Sequence, residues 1–192
     1  MRKFLVFLFL ITCVKYCFAS TIGYTGTSGD FVNLTSSKSE VSNIYMTETG
    51  TVSKLTAYVK SSTSSTLKGL IYTITVDTPT IIHSVTQSAA TTATAAWVDL
   101  TFSPAVVLNA NTTYFIGVIS GLDTLVFYMK ALAGFNGYRA VTGNDYTSPV
   151  SPYPTSSIDP DYVGCIYGTY TAGGGQAGGS HHGSTIIFSN SE

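Results

Sequence analysis

Short runs of β-branched and aromatic residues, separated by Gly, Ser, Asn and Asp, occupy most of this chain. Such runs are typical of β-strands that end in turns. No segment carries an apolar stripe of helical period over a useful length. The sequence therefore predicts an all-β protein, with candidate strands at Thr21–Thr25, Val41–Thr47, Val52–Lys60, Leu67–Val76, Thr80–Gln87, Ala96–Phe102, Thr113–Ser120, Thr124–Lys130 and Tyr162–Tyr170.

Several of these runs alternate between apolar and more polar residues. Leu55, Ala57 and Val59 share one phase of their strand. Trp97 lies on the more polar phase of its own strand, opposite Leu100. Alternation of this kind indicates strands with one buried face and one wetter face. Eight or nine short antiparallel strands in about 150 residues favour a jelly-roll β-sandwich, with a barrel as the alternative.

Two short polar segments look like hairpin turns. They are Glu48-Thr49-Gly50 and Ser120-Gly121-Leu122-Asp123. Gly and Asp are favoured in such turns, because they tolerate backbone angles that other residues avoid. We therefore expect each segment to join two neighbouring strands of one sheet.

The first 19 residues predict a secretory signal peptide. Met1-Arg2-Lys3 is a basic start, Phe4 to Val14 is apolar, and Cys17-Phe18-Ala19 places small residues before a cut at Ser20. This arrangement is typical of a cleaved signal, and the apolar run is too short to span a bilayer. We expect a protein that is secreted or held at the cell surface.

The composition of the chain argues against a nucleic acid as its partner. The chain is 12% aromatic and 10% charged, with a formal net charge of −1, so no basic excess exists to neutralise the phosphates of a nucleic acid. Removal of the signal peptide takes Cys13 and Cys17 with it. Cys165 then has no intramolecular disulfide partner, and its apolar surroundings predict a buried thiol.

A family resemblance is visible over residues 50–120. Its motifs are Gly50-Thr-Val-Ser-Lys-Leu-Thr-Ala-Tyr-Val-Lys60, Leu67-Lys-Gly-Leu-Ile-Tyr72, Ile81-Ile82, Ala96-Trp97-Val98-Asp99-Leu100, Pro104-Ala-Val-Val-Leu108 and Asn111-Thr-Thr-Tyr-Phe-Ile116. This succession resembles the jelly-roll modules of secreted and cell-surface microbial proteins, including those like carbohydrate-binding modules. The turn Asn109-Ala110-Asn111 stands where such modules commonly carry a Gly. The resemblance implies non-catalytic binding or adhesion and identifies no ligand.

Catalytic patterns are absent from the sequence. His83 lies in a predicted strand, and His181 and His182 lie in a Gly-rich tail, so none is placed as a rigid general base. The acidic residues are scattered, and no phosphate-binding Gly-rich loop with a Lys occurs. The sequence therefore indicates a protein that is not an enzyme.

Three aspartates are the candidate ligands of a structural calcium ion. Asp159 and Asp161 flank a Pro, and Asp145 lies in the same long loop region. Carboxylates on irregular loops suit calcium, and the resembling modules often carry a structural calcium ion. The alternative is that Asp is simply favoured in turns around a Pro.

Exposed aromatic side chains are the predicted ligand contacts. Sugar rings stack through their C–H faces on flat aromatic rings. Tyr58, Trp97 and Tyr128 occupy the more polar phase of their strands, and the long Pro-rich loop 143–162 carries Tyr146, Tyr153 and Tyr162. We expect these six to contact a glycan or surface polymer; core packing at a strand start is the alternative for Trp97.

The C-terminal region divides the chain further. Residues 20–170 form the predicted sandwich, 171–183 have the composition of a flexible linker, and 184–192 resemble a short strand. Ile186, Ile187 and Phe188 make that last segment apolar. It either packs on its own sandwich or adds as a donor strand to another subunit, which would make the protein a structural subunit of a filament or surface layer.

Deletion of residues 184–192 tests the donor-strand hypothesis. If the segment adds to a neighbouring subunit, polymers of the intact protein should disappear in the truncated one, because the apolar strand that joins the subunits is gone. Light scattering of both proteins measures this. Unchanged assembly after truncation would rule the hypothesis out.

Overall fold

The computed structural model describes residues 19–36, 38–63, 65–75, 78–81, 86, 88–122, 124–133, 138–142, 144–149, 157–159 and 161–173. Within these ranges the chain forms strands and no helix. In chain order the strands are β1 (Ala19–Gly23), β2 (Asp30–Leu34), β3 (Lys38–Met46), β4 (Gly50–Ser61), β5 (Thr66–Thr75), β6 (Thr78–Ile81), β7 (Ala89–Ala90), β8 (Ala96–Leu108), β9 (Thr112–Ser120), β10 (Leu125–Ala131), β11 (Tyr138–Thr142), β12 (Ser157–Asp159), β13 (Tyr162–Gly164) and β14 (Ile166–Ala172).

The strands form two sheets. The front sheet has the order β1-β14-β4-β10-β13, with β2 paired to β10 and β8 paired to β4. The back sheet has the order β12-β11-β3-β9-β5-β6, with β7 paired to β5. All pairings between the described strands are antiparallel.

The inner faces of both sheets contribute to one main core. Leu55, Leu100 and Phe127 enter it from the front sheet, and Met46 and Ile71 enter it from the back sheet. The predicted all-β class with antiparallel strands is confirmed, and the two sheets pack as a sandwich. The jelly-roll connectivity stays a prediction.

The phase of β4 follows the sequence prediction. Leu55, Ala57 and Val59 are fully buried in the core, whereas Tyr58 and Lys60 are half-buried on the outer face of the front sheet. Because successive side chains of a strand point to opposite faces, burial of the apolar phase places the aromatic and charged phase outside.

The two predicted hairpin turns are wrong. Residues 47–49 connect β3 of the back sheet to β4 of the front sheet, and residues 121–124 connect β9 of the back sheet to β10 of the front sheet. Both segments therefore cross from one layer of the sandwich to the other. Local turn chemistry is the same in the two cases, so it does not reveal which sheet the next strand joins.

Several strand predictions need correction at their ends. β8 does not stop at Phe102 but continues to Leu108, after a register shift against β4 that falls between Val52 and Lys54. Pro104 lies in the part of β8 that this bulge removes from the ladder, where the missing N–H is tolerated. The sequence also missed β2, β7, β11 and β12, whose short or polar segments form strands only where a neighbour pairs with them.

The predicted strand Tyr162–Tyr170 is two strands that meet at Cys165. β13 pairs with β10, and β14 pairs with β4. The Cys165 N–H donates to the Tyr128 carbonyl, and the Cys165 carbonyl accepts from the Tyr58 N–H, each over 2.9 Å. Cys165 thus fills the point where β4 and β10 separate, and we call this point the Cys165 junction.

The turn between β8 and β9 shows why a Gly-like residue is needed there. Asn111 has a φ of 55°, in the left-handed region that Asn tolerates better than most residues. Its N–H donates to the Met46 carbonyl over 2.7 Å. Asn111 therefore takes a conformation at this turn that Gly adopts freely and most other residues avoid.

Gly117 and Gly168 provide a matched pair of strand glycines. A Cβ on Gly117 would overlap the Glu40 carbonyl oxygen and lie 2.7 Å from the Val41 Cα, whereas a Cβ on Gly168 would meet the Leu55 Cδ2 at 3.4 Å. We expect Gly117→Ala to lower the free energy of unfolding by about 3 kcal/mol, because backbone atoms cannot move aside, and Gly168→Ala to change it by less than about 1 kcal/mol. Urea denaturation of both variants measures this. Equal effects would contradict the packing of β3 against β9.

The Cys165 thiol is buried, as the sequence predicted, with an exposed fraction of 0%. Burial raises the pKa of this thiol from 9.0 to about 11. Near pH 8 the thiolate fraction should therefore be roughly 100-fold lower in the folded than in the unfolded protein. We expect alkylation by iodoacetamide to be slower by at least that factor in native protein than in denaturant.

The same pKa shift determines how the stability of the folded protein changes with pH. The folded-state pKa lies above the unfolded one, so the stability that Cys165 contributes is present below about pH 9 and is lost as the pH rises through about 11. Native and denatured thiol reacting at equal rates would contradict both expectations.

Candidate functional site

Five aromatic rings form a continuous row across the outer face of the front sheet. We call it the aromatic row, and its members, in the order in which the rings contact one another, are Phe31, Tyr128, Tyr58, Trp97 and Tyr167. They come from β2, β10, β4, β8 and β14. The sequence predicted three of them as ligand contacts, and the structure brings those three together with two more.

Strand register sets the order of the rings. Phe31 pairs with Tyr128, and Tyr58 pairs with Trp97. Tyr58 and Tyr128 are brought side by side by the Cys165 junction, because both of their backbones bond to the same residue. Side chains at paired positions of neighbouring strands lie within contact distance.

Neighbouring rings in the row are in contact but not coplanar. The ring centroids are 6.2 Å apart for Phe31–Tyr128, 4.9 Å for Tyr128–Tyr58, 5.2 Å for Tyr58–Trp97 and 5.3 Å for Trp97–Tyr167. Their interplanar angles lie between 49° and 63°. These are the tilted and edge-to-face arrangements that aromatic pairs favour.

The row is accessible from outside the molecule. Phe31 is 52% exposed, and Tyr58, Trp97, Tyr128 and Tyr167 are half-buried. None of the five belongs to the main core. Core packing, the alternative considered for Trp97, is therefore excluded, and the row presents apolar ring surface to solvent.

On one flank of the row, three polar side chains are hydrogen-bonded to one another. The Lys54 ammonium donates to the Asp99 Oδ2 over 2.6 Å, and the Thr56 hydroxyl donates to the Asp99 Oδ1 over 2.7 Å. The hydrogen bond from Lys54, with a smaller one from Thr56, holds the pKa of Asp99 below its usual value. The Asp99 carboxylate therefore stays ionised at physiological pH.

The other flank carries cations. The Lys60 ammonium lies 6.0 Å from the centroid of Phe31 and 6.0 Å from that of Tyr128. Lys130 lies two residues after Tyr128 in β10 and is exposed. Alternation along the strand places it on the same outer face as Tyr128. Apolar ring faces beside polar and charged groups are the surface chemistry that suits a sugar, whose rings have C–H faces and hydroxyl edges.

Tyr146 lies elsewhere, on the outer face of the back sheet. Its hydroxyl is bonded to the hydroxyls of Thr66 and Ser88, and the Lys68 ammonium lies 4.3 Å from its ring centroid. The ring packs on a second apolar cluster formed by Val41, Leu70, Tyr72, Phe115 and Ile119. Tyr146 is thus committed to covering that cluster and is not part of the aromatic row.

A second loop tyrosine, Tyr162, also lies apart from the row. Tyr162 opens β13, is half-buried and packs against the main core. Tyr153 lies outside the described residues. Their predicted contact with a ligand stays a prediction.

Of the three predicted calcium ligands, the structure describes Asp145 and Asp161 with their side chains and Asp159 by its backbone. Asp145 is exposed, and its carboxylate accepts from the Thr147 N–H over 2.7 Å in a local turn. Asp161 has a φ of 82°, and the backbone of Asp159 lies in β12. Across the described ranges, no group of three or more His, Cys, Asp or Glu side chains could hold a metal ion.

Other predicted features fall outside the described residues. They are the signal peptide up to residue 18, most of the Gly-rich linker, the donor-strand residues Ile186, Ile187 and Phe188, and the histidines His83, His181 and His182. Thr171 and Ala172, which the sequence assigned to the linker, belong to β14. Within the described ranges, no helix has the length and apolar character needed to cross a bilayer.

Phe31 and Tyr167 are the residues of the row that the sequence did not identify. Phe31 was missed because β2 itself was missed, since Asp30 and Asn33 are unfavourable strand residues. Tyr167 was missed because it shares a phase with Val163 and Cys165 in a continuous strand. At the Cys165 junction the alternation of buried and outward side chains starts again. Ile166 is therefore the buried residue that follows Cys165, and Tyr167 faces outward.

Comparisons with known proteins identify no relative. No protein family matches the sequence, and no curated protein matches it. Two solved structures show a distant similarity, "Structure of infectious bursal disease virus Gx strain" with a TM-score of 0.35 and 11% identity, and "Structure of infectious bursal disease virus Gt strain" with a TM-score of 0.31 and 13% identity.

These similarities cover 82% of this chain, and 42% and 40% of the two virus chains. This chain therefore spans about two fifths of the length of the solved chains that it resembles. At such TM-scores the similarity supports no inference about the present protein.

Proposed function

We propose that this protein is a secreted, non-catalytic binding module that recognises a glycan or cell-surface polymer through the aromatic row. The observation that carries the proposal is the continuous contact of five rings on an accessible sheet face. Secretion enters the proposal from the N-terminal sequence pattern alone.

The shape of the row supports an extended ligand. Phe31, Tyr128, Tyr58 and Trp97 come from the neighbouring strands β2, β10, β4 and β8, and their successive centroids are 4.9–6.2 Å apart, so these four rings follow one another across the sheet. A sheet face is also rigid, because each ring stands on a hydrogen-bonded strand. A rigid row loses little conformational entropy on binding, and this favours affinity.

Polar groups beside the row support a ligand with hydroxyls. The Tyr58, Tyr128 and Tyr167 side chains each end in a hydroxyl that can donate and accept a hydrogen bond. Asp99, whose side chain is 53% exposed, adds carboxylate oxygen atoms two residues after Trp97 on the same phase of β8. Apolar rings with interspersed donors and acceptors match a carbohydrate better than they match an apolar ligand.

Substitutions in the row test the proposal. Trp97→Ala and Phe31→Ser should each weaken binding to the glycans recognised by the native protein on a glycan array by at least about tenfold, because each removes a stacking surface. Phe31 is the most exposed ring of the row, so its loss is the smaller risk to folding.

Tyr45→Ala is the matched control. Tyr45 is a 36% exposed ring on β3 of the back sheet and should leave glycan binding unchanged when removed. Circular dichroism and thermal unfolding confirm that each variant is folded. A native protein that binds no glycan on the array, or row variants that bind as well as the control, would refute the proposed function.

A further inference from the structure

We infer that the glycan recognised by the aromatic row is acidic, and that its carboxylate or sulfate group binds at the Phe31–Tyr128 end beside Lys60 and Lys130. This inference rests on the proposed function and specifies its substrate class. It is carried by the unequal charge of the two ends of the row.

Most lysines with described side chains are bonded to an oxygen atom of the protein. Lys38 is bonded to the Glu40 carboxylate, Lys54 to the Asp99 carboxylate and Lys68 to the Tyr146 carbonyl, at distances between 2.6 and 2.9 Å. These three ammonium groups are therefore used within the fold. A ligand would have to compete with these protein oxygen atoms for the same ammonium groups.

Lys60 and Lys130 differ from those three. Within the described part of the chain, neither forms an ion pair or a hydrogen bond with a protein oxygen. The Lys60 ammonium instead lies at the same distance, 6.0 Å, from the Phe31 and Tyr128 centroids. That distance is the outer limit of a cation–π contact, so the rings orient the ammonium without occupying its N–H donors.

Both cations lie at the same end of the row. Lys60 pairs with Val126 across β4 and β10, two residues before Tyr128, and Lys130 follows Tyr128 by two residues. Lys60 and Lys130 thus take positions on either side of Tyr128 along the outer phase of the front sheet. Asp30 alternates with Phe31 along β2, so its side chain belongs to the opposite phase.

The far end of the row is electrically different. There the Lys54 ammonium is neutralised by the Asp99 carboxylate, close to Tyr58 and Trp97. A ligand lying along the row would meet the Lys54–Asp99 ion pair near Trp97, and at the other end it would meet Lys60 and Lys130, which have no ion-pair partner in the described part of the chain. An anionic substituent is the group that complements such a surface.

Local charge, and not overall charge, must produce this preference. The chain has a formal net charge of −1, so the molecule as a whole does not attract polyanions. A preference for acidic glycans would therefore depend on Lys60 and Lys130 individually. Interactions between exposed charges are screened by salt, which gives the preference a second signature.

Two pairs of polymers test the inference with the purified protein. Polygalacturonate and its methyl ester differ in the carboxylate, and dextran sulfate and dextran differ in the sulfate. We expect the acidic member of at least one pair to bind about tenfold or more tightly than its neutral partner at low salt, and the difference to shrink as NaCl is added. Which pair shows the difference identifies carboxylate or sulfate as the group bound.

Charge variants locate the effect. Lys60→Gln and Lys130→Gln should each reduce the acidic preference several-fold, and Lys60→Arg should retain it. Lys68→Gln, which removes the same charge from the back sheet, should leave it unchanged. All four variants are compared with the native protein by thermal unfolding to confirm folding.

The outcomes separate this inference from the proposed function. Equal binding of acidic and neutral polymers, or an acidic preference that survives both Gln variants on the front sheet, would overturn the inference while glycan binding on the array still supports the proposed function. Absence of binding to every glycan on the array would overturn both.

Discussion

The backbone hydrogen bonds of Cys165 are the contact on which the front sheet depends. β4 and β10 pair directly over Val59–Ser61 and then separate. In the space between them, β13 pairs with β10 and β14 pairs with β4. Cys165, which joins β13 to β14, forms backbone hydrogen bonds to both Tyr128 of β10 and Tyr58 of β4. Without this residue two buried edges would have unpaired N–H and C=O groups, which is costly away from water.

The Cys165 junction also determines the positions of several aromatic rings on the outer face of the front sheet. It holds Tyr58 and Tyr128 side by side, and it shifts the phase of β14 so that Tyr167 faces outward. Three of the five rings in the aromatic row are therefore placed by one irregularity of the sheet. Irregular points of a sheet commonly redirect side chains in this way.

The two outer faces of the sandwich differ in how much of their apolar surface is covered. The back sheet carries a second apolar cluster that Tyr146 helps to cover, with its hydroxyl and the Lys68 ammonium bonded within the fold. The front sheet leaves its rings accessible, and the Lys60 ammonium, which has no ion-pair partner among the described residues, lies beside two of them. An accessible row of aromatic rings is the kind of surface that marks an interaction site.

Period-two alternation in the sequence determined the fold class, the inward phase of β4 and β10, and the outward positions of Tyr58, Trp97 and Tyr128, because burial of apolar side chains fixes which face of a strand turns inward. Tertiary structure alone decided which strands are neighbours, since the turns at residues 47–49 and 121–124 join different sheets with ordinary hairpin residues. It also decided that Phe31 and Tyr167 join the row and that Tyr146 does not. Those placements depend on pairing between residues distant in sequence, and on a junction at Cys165 that no local periodicity records.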